Sequence, residues 1–324
     1  MTWTVIQSDA LSFARSLPTG CASLTLFSPP YEDARTYGIG FRLKGQAWVD
    51  WLAPIIVELA RCTNGLVLCN AAGKVNQFKY SPVVEWLCAD LTRVHGLVCG
   101  PSPYVFHRVG IPGSGSKHYH RRDWEPVYAF ARPEVLPLAW SDNTATGHAP
   151  KWAPGGEMSH RLSDGTRRNQ WGGNGNGSTG QRRRNGSRQR TERPSSVITS
   201  KDTRRGSCGH DLEGSPVQGD YSPPAIANAG NVIKCKVGGN NMGSVAAHLS
   251  EAPYPESLCE FFIRSFAPPA GLVLDPFCGS GTTLAVAVRW GRRALGCDIR
   301  QSQIDIARRR IEGETPLSLL REKE

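Results

Sequence analysis

The chain has 324 residues, 39% of them hydrophobic, enough to bury the core of one large α/β domain carrying an insertion. No apolar run approaches the roughly 20 residues that span a bilayer, and Met1-Thr2-Trp3-Thr4 lacks the charged-then-apolar pattern of a targeting segment, so a soluble, intracellular protein with no membrane partner is expected. The net charge of +10 asks for a polyanionic partner, and it is concentrated: from Lys151 to Arg205, 13 basic residues stand against four acidic ones.

In chain order, Thr4 to Ile6 reads as a short strand, and Asp9 follows it at the start of a helix from Ala10 to Leu17. Pro18-Thr19-Gly20 turns the chain into an apolar run that stops at Ser28-Pro29-Pro30-Tyr31. Neither proline has an N–H to continue a ladder, so the strand must end at Ser28. Extended geometry before proline leaves the Ser28 hydroxyl and the nearby carbonyls beyond the sheet, beside the Tyr31 ring. Such a corner suits a planar ring bearing an amino group, stacked on the tyrosine and held by acceptors, although an ordinary strand end has the same pattern. The polar stretch from Tyr31 to Gly45 is expected to be a mobile loop beside this corner.

Trp48 to Cys62 has helical spacing, with Trp48, Trp51, Leu52, Ile55, Ile56 and Leu59 on one broad core-facing stripe. Leu66 to Cys69 is a buried strand, and Pro82 opens another amphipathic helix. The alternation predicts a doubly wound, mostly parallel sheet. Tyr104 to His107 and Glu125 to Phe130 add strand-like runs around a loop that holds His118, His120, Arg121 and Arg122. The histidines there read as solvated or phosphate-facing before they read as catalytic. The ten cysteines lack the regular spacing of a disulfide framework, and Cys208 and His210 have no C-x-x-C companion, so reduced thiols and no metal are expected.

After Pro137 the composition turns to Gly, Asn, Ser and Arg without hydrophobic period. Arg167, Arg168, Arg182, Arg183, Arg184, Arg188 and Arg190 suit a phosphate backbone, where each releases counterions, and the surplus of arginine over lysine also suits guanine edges. Three segments follow: one with the Ser28–Tyr31 corner (1–136), a basic insert (137–227) and one with a glycine-bearing turn (228–324). In the last, Glu256 to Phe266 is an apolar-faced helix, and Leu272-Val273-Leu274 a buried strand. The strand runs into Asp275-Pro276-Phe277-Cys278-Gly279-Ser280-Gly281 and a helix from Thr282. Glycine lets backbone approach a ligand, and an acid at a strand tip can hold its polar end. No Gly-Lys-Ser/Thr follows, so this is not a P-loop. Asp298 ends the next strand, placed to accept hydrogen bonds from ribose hydroxyls.

Ser28-Pro29-Pro30-Tyr31 resembles the (D/N/S)-P-P-(Y/F) catalytic motif of the amino-group DNA methyltransferases, and Asp275 to Thr283 is similar to their cofactor loop. The order of the two resembles the circularly permuted β-type subgroup, over about 1–132 and 228–311. The resemblance implies a permuted Rossmann-like fold, S-adenosylmethionine as cofactor and double-stranded DNA as partner. It implies base flipping and a cytoplasmic protein of a prokaryote or phage, and it leaves a homodimer and a cognate restriction endonuclease open as further partners. By motif position Asp9 would reach the cofactor's adenine, Asp275 its methionine portion and Asp298 its ribose, with Pro276 to Thr282 as the surrounding loop. Arg121, Arg122 and the insert arginines would contact DNA. Serine at the first motif position leans toward N4 of cytosine over N6 of adenine. A protein glutamine methyltransferase and a non-catalytic DNA-binding protein are the remaining alternatives.

Overall fold

The computed structural model describes residues 2–33, 37–76, 78–100, 103–110, 122–147, 229–244 and 254–314. Its strands are β1 (Trp3–Gln7), β2 (Leu24–Phe27), β3 (Val67–Asn70), β4 (Val75–Asn76), β5 (Lys79–Tyr80), β6 (Val98–Cys99), β7 (Tyr104–Val109), β8 (Trp124–Ala131), β9 (Val232–Lys236), β10 (Leu272–Asp275) and β11 (Arg293–Asp298). The helices are α1 (Ala10–Ser16), α2 (Gln46–Cys62), α3 (Val83–Arg93), α4 (Glu256–Phe266), α5 (Thr282–Arg289) and α6 (Gln301–Glu312).

The main sheet runs β1-β11-β10-β2-β3-β8-β7-β9, with β6 also on β8. The first five strands are parallel, β8 is antiparallel to β3 and β7, and β9 returns parallel to β7. β1 lies beside β11, with Val5 opposite Gly296, as the permuted order requires of the N-terminal strand. The tips of five adjacent parallel strands therefore open on one edge.

Side-chain alternation sends the two sheet faces to two cores. Leu24, Leu26 and Leu68 pack with Leu258, Phe262 and Leu284 of α4 and α5, whereas Phe27, Val67 and Cys69 pack with Trp48, Leu52 and Leu87 of α2 and α3. The expected α2 stripe is buried except for Trp51, which is only half-buried and packs edge-on against Phe41 at 5.0 Å. The described cysteines carry free thiols. Residues 1–146 and 229–324 group as one unit, and the start of the expected insert returns to it: the Asp142 N–H donates to the Ser265 carbonyl at 2.8 Å. Residues 148–228, which hold all the insert arginines, and Arg121 lie outside the described residues. No helix among those described is long and apolar enough to cross a membrane, and none of their His, Cys, Asp and Glu form a group that could hold a metal.

One buried ion cluster ties the C-terminal half together. The Glu256 carboxylate accepts from Arg289 at 2.7 Å and from Arg310 at 2.5 Å, and the Arg310 side chain is only 2% exposed. Burial opposes the charge on Glu256, but the two guanidinium groups outweigh it and hold the carboxyl below its usual range. Glu256→Ala would leave Arg310 charged and buried without its partner, so a loss of about 3–5 kcal/mol is expected from urea unfolding at neutral pH. Because the folded-state value is depressed, this contribution is present above the ordinary carboxylate range and fades as pH falls through the folded value.

Candidate active site

The strand tips surround a cavity of about 530 Å³, within the roughly 300–1,000 Å³ usual for ligand sites. Ser28, Pro29, Pro30 and Tyr31 form one wall, and Pro276, Phe277, Gly279 and Asp298 form another. Two motifs almost 250 positions apart thus meet because β10 pairs with β2, Leu274 lying opposite Thr25.

The catalytic corner follows from its prolines. β2 ends at Phe27, and the Trp48 indole N–H fixes the turn by donating to the Pro30 carbonyl at 2.8 Å. Tyr31 is held at its hydroxyl, which donates to Glu125 Oε2 at 2.7 Å and accepts from Asn70 Nδ2 at 3.1 Å. Ser28 Oγ stands 3.5 Å from the same oxygen. Burial first, then the Glu125 carboxylate, pushes the Tyr31 hydroxyl well above its ordinary range, so it remains a neutral donor. The loop expected to be mobile lines the cavity with Tyr37, Ile39 and Phe41, and Arg300 Nη1 donates to the Tyr37 carbonyl at 3.1 Å.

The second wall is a turn that satisfies itself. The Phe277 N–H donates to Asp275 Oδ1, Cys278 N–H to the Cys297 carbonyl, Gly279 N–H to Asp298 Oδ2 and Gly281 N–H to the Cys278 carbonyl. Gly281 is required here: its φ is +80°, and a Cβ would stand 2.9 Å from that of Ala307. The family model for DNA methylases of the N6/N4 type matches residues 22–309.

The chain belongs to this family.

Among curated relatives, the chain is 40% identical over 76 residues to the type II methyltransferase M.ScaI of Streptomyces caespitosus, 24% of this chain and 25% of that one. It is 47% identical over 60 residues to M2.DpnII of Streptococcus pneumoniae, 18% and 22% of the two chains. The matches thus span a quarter or less of those relatives. Among solved structures, the PvuII DNA methyltransferase (cytosine-N4-specific) superposes with a TM-score of 0.59 at 16% identity, over 96% of this chain and 86% of that one. The Thermus thermophilus protein TTHA0409, solved with S-adenosyl-L-methionine, gives 0.51 at 19% identity, over 96% and 94%. These likenesses show a shared Rossmann-like fold.

The other expected site residues divide in two. Asp9 lines the cavity, but its Oδ1 also caps α1 by accepting from Leu11 and Ser12 N–H at 3.0 Å each. Asp275, Cys278, Ser280 and Thr282 are buried behind the wall, and Arg310 Nη1 reaches the Thr282 hydroxyl at 2.9 Å. They and Gly281 shape the turn without forming the cavity surface. Of the expected DNA contacts, only Arg122 is described; it lies over Trp124 at 4.4 Å and Tyr80 at 5.6 Å. Sequence reading missed Asn70, Arg108 and Glu125, which all line the cavity.

Burial drives the Asp275 carboxyl from 3.8 to about 7, against the pull of its hydrogen bonds. The folded state then binds the proton more tightly than the unfolded chain, so this group makes stability fall as pH rises from about 4 to about 7. Asp275→Asn should flatten that slope, a result read from urea midpoints at pH 5 and pH 8.

Proposed function

We propose that this DNA methylase transfers a methyl group from S-adenosylmethionine to the exocyclic N4 of a cytosine flipped out of double-stranded DNA. The observation that carries the reading is the cavity shared by Ser28–Tyr31 and by Phe277, Gly279 and Asp298.

The second wall fits this cofactor by its chemistry. The N–H groups of Phe277, Cys278, Gly279 and Gly281 are already spent inside the protein, so these four do not serve a dinucleotide's phosphates. Asp9 and Asp298 instead present carboxylates beside the apolar Phe277 and Ile299, which suits a cationic ligand with an adenosine portion. Asp298 would hold the ribose, Asp9 the adenine amine, and Phe277 with Gly279 the central part. When bound, the cofactor supplies a methyl group activated by a sulfonium.

The first wall fits an amine. An exocyclic amine is a poor nucleophile while its lone pair is delocalised, and a stacked base cannot reach the cavity. Ser28 Oγ and the backbone oxygens of the corner would accept its hydrogens, orient the lone pair and stabilise the positive charge developing on nitrogen. Methylation at carbon would need a cysteine nucleophile in a Pro-Cys dipeptide, which the sequence lacks. The preference for cytosine rests on serine at position 28, since the PvuII likeness at 16% identity speaks to fold. The basic segment from Lys151 to Arg205 supports a DNA partner and segment 137–227 as its reader.

Labelled S-adenosylmethionine offered together with unmethylated DNA or a protein extract tests this reading. Label is expected in DNA; label in protein alone would contradict it.

A further inference from the structure

Glu125 stands at a junction inside the cavity. Its Oε2 accepts from Tyr31 at 2.7 Å and from Asn70 Nδ2 at 3.3 Å, while Oε1 pairs with Arg108 Nη1 at 3.0 Å. A second Arg108 nitrogen, Nη2, donates to the Arg122 carbonyl at 2.9 Å, so the guanidinium is fixed from two sides. With three donors on it, Glu125 is consumed as an organiser.

Its two clients each keep one group in reserve. Asn70 is only 2% exposed, and its Oδ1 is buried with no partner among the described residues; Arg108 Nε is in the same condition. Both side chains line the cavity that Ser28 lines. Buried polar groups of folded proteins are ordinarily satisfied, so an acceptor and a charged donor left over together point to a ligand bearing the complementary pair. Cytosine has an amino donor at C4 and a carbonyl acceptor at C2 along one edge. Adenine has the amine but no carbonyl, and offers an arginine only ring nitrogens.

We propose that Glu125 is a positioning residue for base reading, presetting Arg108 to donate to the ring carbonyl of the flipped cytosine and Asn70 Oδ1 to accept from its amine. This rests on the reading of the cavity as a base pocket. Asn70 and Arg108 would touch the substrate, and Glu125 acts through them. Tyr31, neutral and tied to the same carboxylate, keeps its ring in place as the stacking surface.

The test uses the full chain, labelled S-adenosylmethionine and a range of concentrations of unmethylated plasmid DNA, with calorimetry of cofactor binding beside it. Arg108→Lys and Arg108→Ala are expected to raise KM for DNA about tenfold or more, because a fixed charged fork is lost. Asn70→Ala is expected to lower kcat about tenfold, and Glu125→Gln to show both effects, since it keeps the Tyr31 acceptor but loses the carboxylate charge that pairs with Arg108. Cofactor affinity within about twofold of wild type in every variant reports an intact fold and second wall. Arg108→Lys and Asn70→Ala that match wild type in KM and kcat would overturn the inference while leaving the methyltransferase reading standing. So would variants impaired only in cofactor binding. Wild-type protein that places no methyl group in DNA would overturn the function itself and this inference with it.

Discussion

Ser28→Ala is expected to lower the rate of methyl transfer to DNA by about 100-fold or more at saturating substrates, the usual cost of removing one preorganised group that answers charge developing in the transition state. Cofactor affinity should stay within about twofold, because Ser28 belongs to the opposite wall of the cavity from Phe277 and Asp298. Tyr31→Ala should cost at least as much, since it removes the ring and also frees Glu125 and Asn70 from the hydroxyl they share. Tyr31→Phe separates those contributions: it keeps the ring and loses only the donor, and an effect of about tenfold is expected. Single-turnover rates with calorimetry of the cofactor would measure each quantity separately. A Tyr31→Ala enzyme with wild-type turnover would remove stacking from the mechanism.

Asp298→Ala should do the reverse. The Asp298 carboxylate accepts from Gly279 N–H at 3.1 Å and from Arg300 N–H at 2.9 Å, so it pins the turn after β10 to the loop after β11. Losing the two charge-assisted bonds it would accept from the ribose hydroxyls, about 1.5 kcal/mol each, corresponds to roughly a 100-fold weaker cofactor Kd. Turnover at saturating cofactor should change much less. Asp298→Asn, which keeps a carbonyl acceptor but no charge, should fall between the two.

The division between these effects mirrors what local sequence could reveal. Ser28-Pro29-Pro30 announces a strand end because proline chemistry forces one, and Asp275 to Gly281 announces a turn because glycine alone tolerates its geometry there. Both signals act within a few residues of themselves. Glu125, Asn70 and Arg108 give no such signal, because strand registers far apart in sequence bring them together. Asn70 lies opposite Val127 across β3 and β8, and Phe106 opposite Glu125 across β7 and β8. In the sequence Glu125 is merely a polar residue entering an apolar strand.

Two further differences have similar causes. Trp51 sits on the apolar stripe of α2, and its ring, packed against Phe41 and Phe277 at the edge of the core, also joins the cavity wall. By motif position Asp9 is expected to reach the cofactor's adenine. Its position one residue before α1 was equally a capping signal, and the structure shows that second role directly. The antiparallel β8 and β7 departed from simple alternation of strand and helix because no helix intervenes between them among the described residues.

The most direct measurement is the identity of the methylated nucleoside. Unmethylated plasmid DNA, incubated with the full chain and S-adenosylmethionine and then digested to nucleosides, is expected to yield N4-methylcytosine. Recovery of N6-methyladenine alone would contradict the cytosine assignment, and recovery of no methylated nucleoside would contradict the account of the cavity as a site of DNA methylation.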